Sequence, residues 1–451
     1  MDIIHEWLVY LTIHAAIRAV RQGKIILAKK ENLMEEKPNK SDHRSFGEKK
    51  EDSWRKKAAL FLISQNISLF GSSVVGFAII WYITLQTSSG RWMTFSIICS
   101  LLPQVLISPW AGVWADRYNR KRLIMLSDGI IALATLGLAV AFLAGYESME
   151  LLLAGSVVRS ICAGIQTPAV NAMYPQLVPV QKLTKVNGIN QTLNSLLLLL
   201  SPAVGGLALG YLGISFAFML DVLTAVAAII ILGLIKIEKQ QQHTASGPVF
   251  ADLWAGIRFT YEHNLLKRLV ICYGVSFFLI TPAAFLTPIM IERSFGNEVW
   301  RLTANEMIWT VGSLLGGVFV SWHGEFKDKI RTIAISLIGF GITFGLLGTA
   351  KWFLTYLLFM GSAGFFMPII ATAETVLIQE NVEEAMMGRV FSIIQIISAG
   401  AMPLAMFFFG PLADVVAIEG ILMVTGALLA GLGLVFGRYK YEETGRRETA
   451  Q

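Results

Sequence analysis

Charge is what this chain has least of. Asp, Glu, Lys and Arg make up 15% of its 451 residues, while 55% are hydrophobic. Ordinary soluble domains carry about 25% charged residues. A surface built from so few charges does not suit water on all sides, which argues against a conventional soluble globule. Cysteine is equally sparse. Cys99, Cys162 and Cys272 all lie within apolar stretches and read as small packing residues, so neither a disulfide framework nor a thiolate metal site is expected. None of the six histidines sits mid-way along a stretch that reads as membrane-spanning, and no metal-ligand spacing occurs. The phosphate-cradling pattern G-x-x-x-x-G-K-[ST] is missing, which removes that route to ATP. No cofactor and no covalent chemistry are expected. The first apolar stretch, residues 3–20, is interrupted by His5, Glu6, His14 and Arg18, so a cleavable signal peptide is not expected either.

What the chain has instead is long apolar runs. Residues 123–145 and 188–235 hold almost no charge. About 20 apolar residues in a helix cross the hydrocarbon core, and lipid offers no partners for free backbone groups, so such runs read as membrane-spanning helices. Twelve are expected, at 58–84, 91–114, 123–145, 149–172, 188–210, 214–235, 268–291, 303–322, 331–350, 353–377, 389–410 and 415–437. The expected organisation is an N-terminal extension over 1–53, a six-helix half over 54–235, a polar linker over 236–267, a second six-helix half over 268–437 and a tail over 438–451. The extension opens with apolar residues at helical spacing, suiting either a surface-lying amphipathic helix or an accessory segment.

The net charge of +6 is no nucleic-acid footprint, and no nucleic acid partner is expected. With the N-terminus inside, the exterior loops hold only Arg91, Arg293, Arg301 and Lys351. Arg159 lies within a span, and every other cation falls on the cytoplasmic side. That asymmetry predicts a multi-pass cell-membrane protein with both termini cytoplasmic. The halves also echo each other. Pro168 and Pro368, Leu177-Val178 and Leu377-Ile378, and Gly188 and Gly388 recur at one constant spacing. Two related six-span halves with a site between them is the plan of a secondary transporter.

Between spans 2 and 3 stands "GVWADRYNRKRLI", a knot of charge in apolar surroundings. Gly112 lets helices approach closely, Asp116 suits a helix N-terminus, and Arg117, Arg120 and Lys121 suit helix ends and acids nearby. Positive-inside topology accounts for the cations alone; it leaves the acid unexplained. The stretch resembles the loop 2–3 signature of the major facilitator superfamily, with Asn119 where that family usually has glycine; asparagine also tolerates left-handed backbone. The counterpart at 324–331 lacks the acid at the matching position. "QNISLFGSSVVGFAIIWYITLQTSSG" and "VVRSICAGIQTPAVNAMYPQLVP" resemble the macrolide-efflux-type branch of drug:proton antiporters. "SPAVGG" (Ser201, Pro202, Gly205, Gly206) is similar to that group's exporter motif. The resemblance covers about residues 55–437. It implies the major facilitator fold, a small lipophilic substrate, protons as the exchanged ion, and a monomer in the bilayer.

Several side chains are candidates for the work. Arg159, mid-way along span 4, is costly in lipid unless paired or hydrated; it reads as a cavity residue or as a cation tied to a carbonyl or carboxylate. Asp128, Asp221 and Glu374 are candidate proton carriers. Asp128 has the basic turn as an alternative partner, Asp221 a structural hydrogen bond, and Glu374, the leading candidate, an ion pair with Arg389. Asn187, Asn190, Gln191 and Asn194 share one helix face, suiting either a hydrated cavity or interhelical hydrogen bonds; Gln65, Asn66 and Gln166 pose the same choice. Phe277 and Phe365, among other aromatics, suit an apolar cavity wall or packing, and Trp81 with Tyr82 an interfacial belt. Pro202, Pro282 and Pro288 are expected to bend spans 5 and 7. The sequence thus predicts an efflux transporter. A siderophore or other metabolite transporter on the same fold is the alternative, and a transport-inactive membrane sensor or anchor a remoter one.

Overall fold

The computed structural model describes residues 41–236, 257–324, 326–382 and 384–438. The expected amphipathic segment, most of the linker and the C-terminal tail lie outside them. Helices account for nearly all of the described chain. In the first half they are α1 (Ser41–Thr87), α2 (Gly90–Arg117), α3 (Arg120–Leu143), α4 (Met149–Leu177), α5 (Val180–Leu207) and α6 (Ile214–Leu234). The second half holds α7 (Asn264–Phe285), α8 (Thr287–Phe295), α9 (Val299–His323), α10 (Lys329–Leu347), α11 (Phe353–Asn381), α12 (Glu384–Leu412) and α13 (Ile418–Gly437). Each expected span falls on a helix, with α7 and α8 sharing the seventh. Among the described residues, ten of these segments are long and apolar enough to cross a membrane; α9 is not among them, and in α12 only the shorter stretch Ile396–Leu412 is apolar.

The reason for this architecture is visible on α3. Ile124, Asp128, Ile131, Thr135, Leu138 and Phe142 are buried, and Leu126, Ile130, Leu133, Val140 and Leu143 are exposed. Both sets follow helical spacing, so one stripe faces protein and the other is apolar yet uncovered. The polar side chains sit on the buried stripe. That inversion suits a helix in lipid, where the outer face is greasy and polar groups turn inward. The same pattern runs along α6, with Leu223, Val226, Ile230 and Leu234 exposed and Phe218, Asp221, Ala225 and Leu232 buried.

The halves repeat their packing. In the first half α2 packs on α4, α3 on α4, and α3 on α6; in the second, α9 packs on α11, α10 on α11, and α10 on α13. The turns that launch α3 and α10 are also built alike. Asn119 accepts a hydrogen bond from the Arg122 nitrogen at 3.2 Å, and Asp328 accepts one from the Arg331 nitrogen at 2.9 Å. Both are side-chain caps on helix N-termini. Asn119 is extended, with φ −67°, so its value there is the cap rather than the left-handed backbone expected of it. The acid absent from the expected register of the second turn is present as the cap Asp328.

The halves meet through α2 with α12 and α5 with α9. Both contacts lie at the end of the bundle opposite the Arg117–Lys121 turn. A β-carbon on Gly90 would fall 2.0 Å from the Gly410 carbonyl, and one on Gly206 would fall 2.0 Å from the Thr303 hydroxyl. Gly206 of the SPAVGG stretch is therefore a crossing point between halves, whereas a β-carbon on Gly112 would meet open space. The close approach expected at Gly112 is not made. Pro202 lies inside a continuous α5, which passes into a five-residue π-turn, Ala208–Leu212. Pro288 sits at the start of α8, where the seventh span breaks at Leu286. Trp81 is buried beside Phe77 rather than at an interface, while Tyr82 donates to Glu147 at 2.8 Å.

Candidate functional site

A cavity of about 440 Å³ opens among α1, α2, α4 and α5 in the first half, a size typical of small-molecule sites. Gln65, Asn66, Gln166, Asn190 and Asn194, all singled out by sequence, line it, with Arg159, Gln104 and Asn171. Its lining extends to Tyr174, near the end of α4. Asn66 donates to Asn190 at 3.3 Å and to the Leu62 carbonyl at 2.8 Å, so the amides serve both as cavity wall and as a link between α1 and α5.

Beside the cavity, the hydrogen-bond ladder of α2 is interrupted. Pro103 and Pro109 lie inside this helix. Next to Pro103, the Ser160 hydroxyl of α4 accepts from the Gln104 nitrogen at 3.0 Å and donates to the Ser100 carbonyl at 2.7 Å. These are the two groups an unbroken helix would have joined, so Ser160 is inserted into the α2 ladder and props it open.

Arg159 follows the carboxylate option. Its guanidinium donates to the Asp221 carboxylate, to the Thr135 hydroxyl and, at 3.2 Å, to the Ser72 carbonyl. Asp221 also accepts from Thr135 at 2.9 Å and from Ser72 at 3.2 Å. Its side chain is 1% exposed and that of Arg159 11%. The pair therefore joins α1, α3, α4 and α6. It fits because Gly71 has no β-carbon, which would lie 1.9 Å from the Thr224 hydroxyl; α1 can then approach α6 closely enough for Ser72 to reach.

Asp128 is placed differently. It accepts from the Ser68 hydroxyl at 2.7 Å and from the Gln166 amide at 2.9 Å, so its partners are two cavity-wall residues and not the basic turn. Glu374 is buried in the second half and hydrogen-bonded by Tyr273. The side chain of Arg389, its expected partner, lies outside the described residues. Gln191 is exposed on α5. Phe277 stacks on Tyr273 with centroids 5.2 Å apart, and Phe365 packs against Phe319 and Phe366. These last three lie outside this cavity.

At the signature turn, the side chain of Asp116 lies outside the described residues. Lys121 donates to the Gly233 and Ile235 carbonyls at 2.7 and 2.8 Å, and Arg120 to the Ala115 and Ala172 carbonyls at 2.9 Å each. These carbonyls include those at the C-terminal end of α6, where a cation is favoured. Arg117 is exposed. In the second half Lys329, the first residue of α10, pairs with Glu380 near the end of α11 at 2.9 Å. Each half thus anchors its third helix to its fourth.

The far end carries a cluster that sequence reasoning missed. Asp414, in the turn after α12, accepts from the Gly90 nitrogen at 2.6 Å, the Arg91 nitrogen at 3.1 Å and the Ser89 hydroxyl at 3.1 Å. It caps a helix of the opposite half. Arg91 and Arg293 both lie 3.6 Å from its carboxylate. Arg293 also donates to the Ala413 carbonyl at 2.7 Å, and Ser88 donates to Glu292. Arg91 and Arg293 had stood out in sequence only as two of the few exterior cations.

Comparison with known proteins bears on this arrangement. The family model described as Major Facilitator Superfamily matches residues 61–406. Macrolide efflux protein A of Streptococcus pyogenes is 28% identical over 393 residues, 86% of this chain and 96% of that protein. The staphyloferrin A transporter of Staphylococcus aureus (strain NCTC 8325 / PS 47) is 21% identical over 386 residues, 83% of this chain and 94% of that one. Among solved structures, a bacterial homologue of the iron transporter ferroportin in its inward-facing state superposes with a TM-score of 0.66 at 15% identity, covering 85% of this chain and 99% of that one.

Proposed function

Since this chain belongs to the Major Facilitator Superfamily and resembles its macrolide-efflux branch, we propose that it exports a bulky lipophilic drug or natural product by alternating access, in exchange for protons. One observation carries the reading. The halves are latched together at the Asp414 end, while an amide-lined cavity runs from Ile80 past Arg159 to Tyr174, toward the basic end. With the basic end in the cytoplasm, this is the state that receives cargo from inside. Both termini are then cytoplasmic, and the protein resides in the cell membrane as a monomer. Arg159 with Asp221 forms the frame of the first half, Gln65, Asn66, Gln166, Asn190 and Asn194 contact cargo, and the motif from Gly112 to Lys121 guards the cytoplasmic gate. Ser201, Pro202, Gly205 and Gly206 form the exporter motif, where α5 turns on α9.

Efflux of a macrolide by a relative covered almost end to end supports this choice. The staphyloferrin A transporter supports a second reading, a metabolite carrier. Chelators rich in carboxylates need cations, and Arg159, the cation among the described lining residues, is already engaged by Asp221; the first reading is therefore preferred. The test uses inverted membrane vesicles with an imposed proton gradient, and follows uptake of erythromycin and of the cationic dye ethidium. Uptake that a protonophore abolishes is expected. Uptake of a ferric siderophore alone would favour the second reading, and no uptake of any cargo by folded protein would sink both.

A further inference from the structure

We propose that Asp128 is the group that carries the exchanged proton, an assignment that rests on the antiport reading above. Among the described residues four acids enclosed within spans compete for this role, and their surroundings separate them; Glu306, on α9, accepts from the Asn305 amide at 3.2 Å and does not line the cavity of the first half. Both oxygens of Asp221 are engaged, one by Ser72 and the other by Thr135 and Arg159. A carboxylate locked to a guanidinium and two hydroxyls is a fixed anion. Glu374 is hydrogen-bonded by Tyr273, and neither residue lines the cavity of the first half.

Asp128 combines partners in the cavity wall with an oxygen that has none; Asp221, whose donors Ser72 and Arg159 also line the cavity, lacks the second. Asp128 is 1% exposed, and both donors to its Oδ1, Ser68 and Gln166, belong to the cavity wall, as does Ile131 one turn along. Its second oxygen, Oδ2, is buried with no hydrogen-bond partner. A buried oxygen without a donor is costly, and native structures rarely leave one without a reason. A proton is the smallest thing that answers it, and the polar wall in front offers the route by which one arrives.

The groups facing Asp128 fit this role. From α1 it meets the hydroxyl of Ser68 and from α4 the amide of Gln166, with the Cys162 thiol one turn earlier. From α6, Asp221 is near enough to act on it electrostatically, but Arg159 is engaged by that residue. Two carboxylates and one guanidinium therefore occupy the region, and the guanidinium is paired with Asp221. The region is neutral when Asp128 holds a proton and carries one negative charge when it does not. The step is a simple transfer: hydronium in the cavity gives its proton to Oδ2 and leaves as water, and the reverse returns it on the other side. Asp128 ties α1, α3 and α4, so its charge acts on the packing of the half that must rock.

The test separates coupling from folding and from binding. Full-length protein in proteoliposomes is assayed twice, once for ethidium accumulation driven by a proton gradient and once for exchange of labelled ethidium against unlabelled ethidium with no gradient. Asp128→Asn, nearly the same in shape, is expected to lose gradient-driven accumulation by about tenfold or more while keeping exchange within about twofold, the size of a lost coupling between two sites. Ethidium-evoked proton release, read with a pH dye in weakly buffered detergent solution, is expected to vanish in Asp128→Asn and to persist in Asp128→Glu and in Glu374→Gln. Accumulation by Asp128→Asn at the wild-type level overturns the assignment. So does equal loss of accumulation and exchange by Asp128→Asn that is matched by Asp128→Glu, which would mark a purely structural residue. If wild type exchanges ethidium but never responds to the gradient, it is the antiport reading that fails.

Discussion

The carboxylate of Asp414 sits 2.6 Å from the backbone nitrogen of Gly90, across the line where the halves meet. The four leading N–H groups of any helix lack intrahelical partners. Ser89, the residue before α2, supplies no side-chain cap of its own. The start of α2 is thus completed by the other half of the molecule, and opening that end must uncap it.

Loss of this contact is therefore expected to shift the protein toward the state open at the Asp414 end. Asp414→Ala removes the cap and the acid facing Arg91 and Arg293. A cysteine at Gly90's neighbour Ser89, probed with a membrane-impermeant maleimide, is expected to react faster in Asp414→Ala than in its parent. Unchanged labelling would mean that the latch has no part in setting the balance.

The Arg159–Asp221 pair makes a stability prediction. Removing one member leaves the other charged, buried and unanswered, at a cost of about 3–5 kcal/mol. Arg159→Met and Asp221→Asn should each lower the melting temperature in detergent, and the double variant should lie above the sum of the two losses. Additive losses would show that the two side chains do not depend on each other.

Gly206 and Gly112 form a contrasting pair. Gly206→Val places methyl groups where Thr303 stands, and overpacking of this kind costs about 1–3 kcal/mol. It should impair closure between α5 and α9, seen as slower ethidium efflux from whole cells. Gly112→Ala meets open space in this state, so it should fold and melt like wild type. Any loss of efflux in Gly112→Ala with an unchanged melting temperature would place the close approach of Gly112 in a different state of the cycle.

Ser160→Ala deletes the hydroxyl that props α2 open. The Gln104 nitrogen and Ser100 carbonyl then lose their bridge, and accessibility of a cysteine at Asn171 from the cavity is the measurement. A fall in labelling is expected as the α2 ladder closes; labelling equal to the parent would mean that the shape of the cavity does not depend on Ser160.

Much of this molecule was legible before its structure was known. The spans were legible because a greasy stripe and a buried stripe both write themselves into local spacing, as on α3. The paired halves were legible through Pro168 and Pro368. The amides of the cavity were legible as a class, since Gln65, Asn66, Gln166, Asn190 and Asn194 are polar where lipid forbids it. Roles that depend on a partner far along the chain were not. Nothing near Asp414 announces that it will cap α2, and nothing near Ser160 says that it will enter another helix. Phe277 and Phe365 show the converse limit, because an aromatic in a span packs against protein as readily as it lines a cavity.

The Arg159–Asp221 pair has an electrical consequence. A lone elementary charge moved through a membrane potential gains or loses about 2.3 kcal/mol per 100 mV. Bound together, these two residues sum to zero and tilt through that field without work. The voltage across the membrane then acts on this part of the transporter through the charge the pair leaves over, that of Asp128 with or without its proton and that of the cargo.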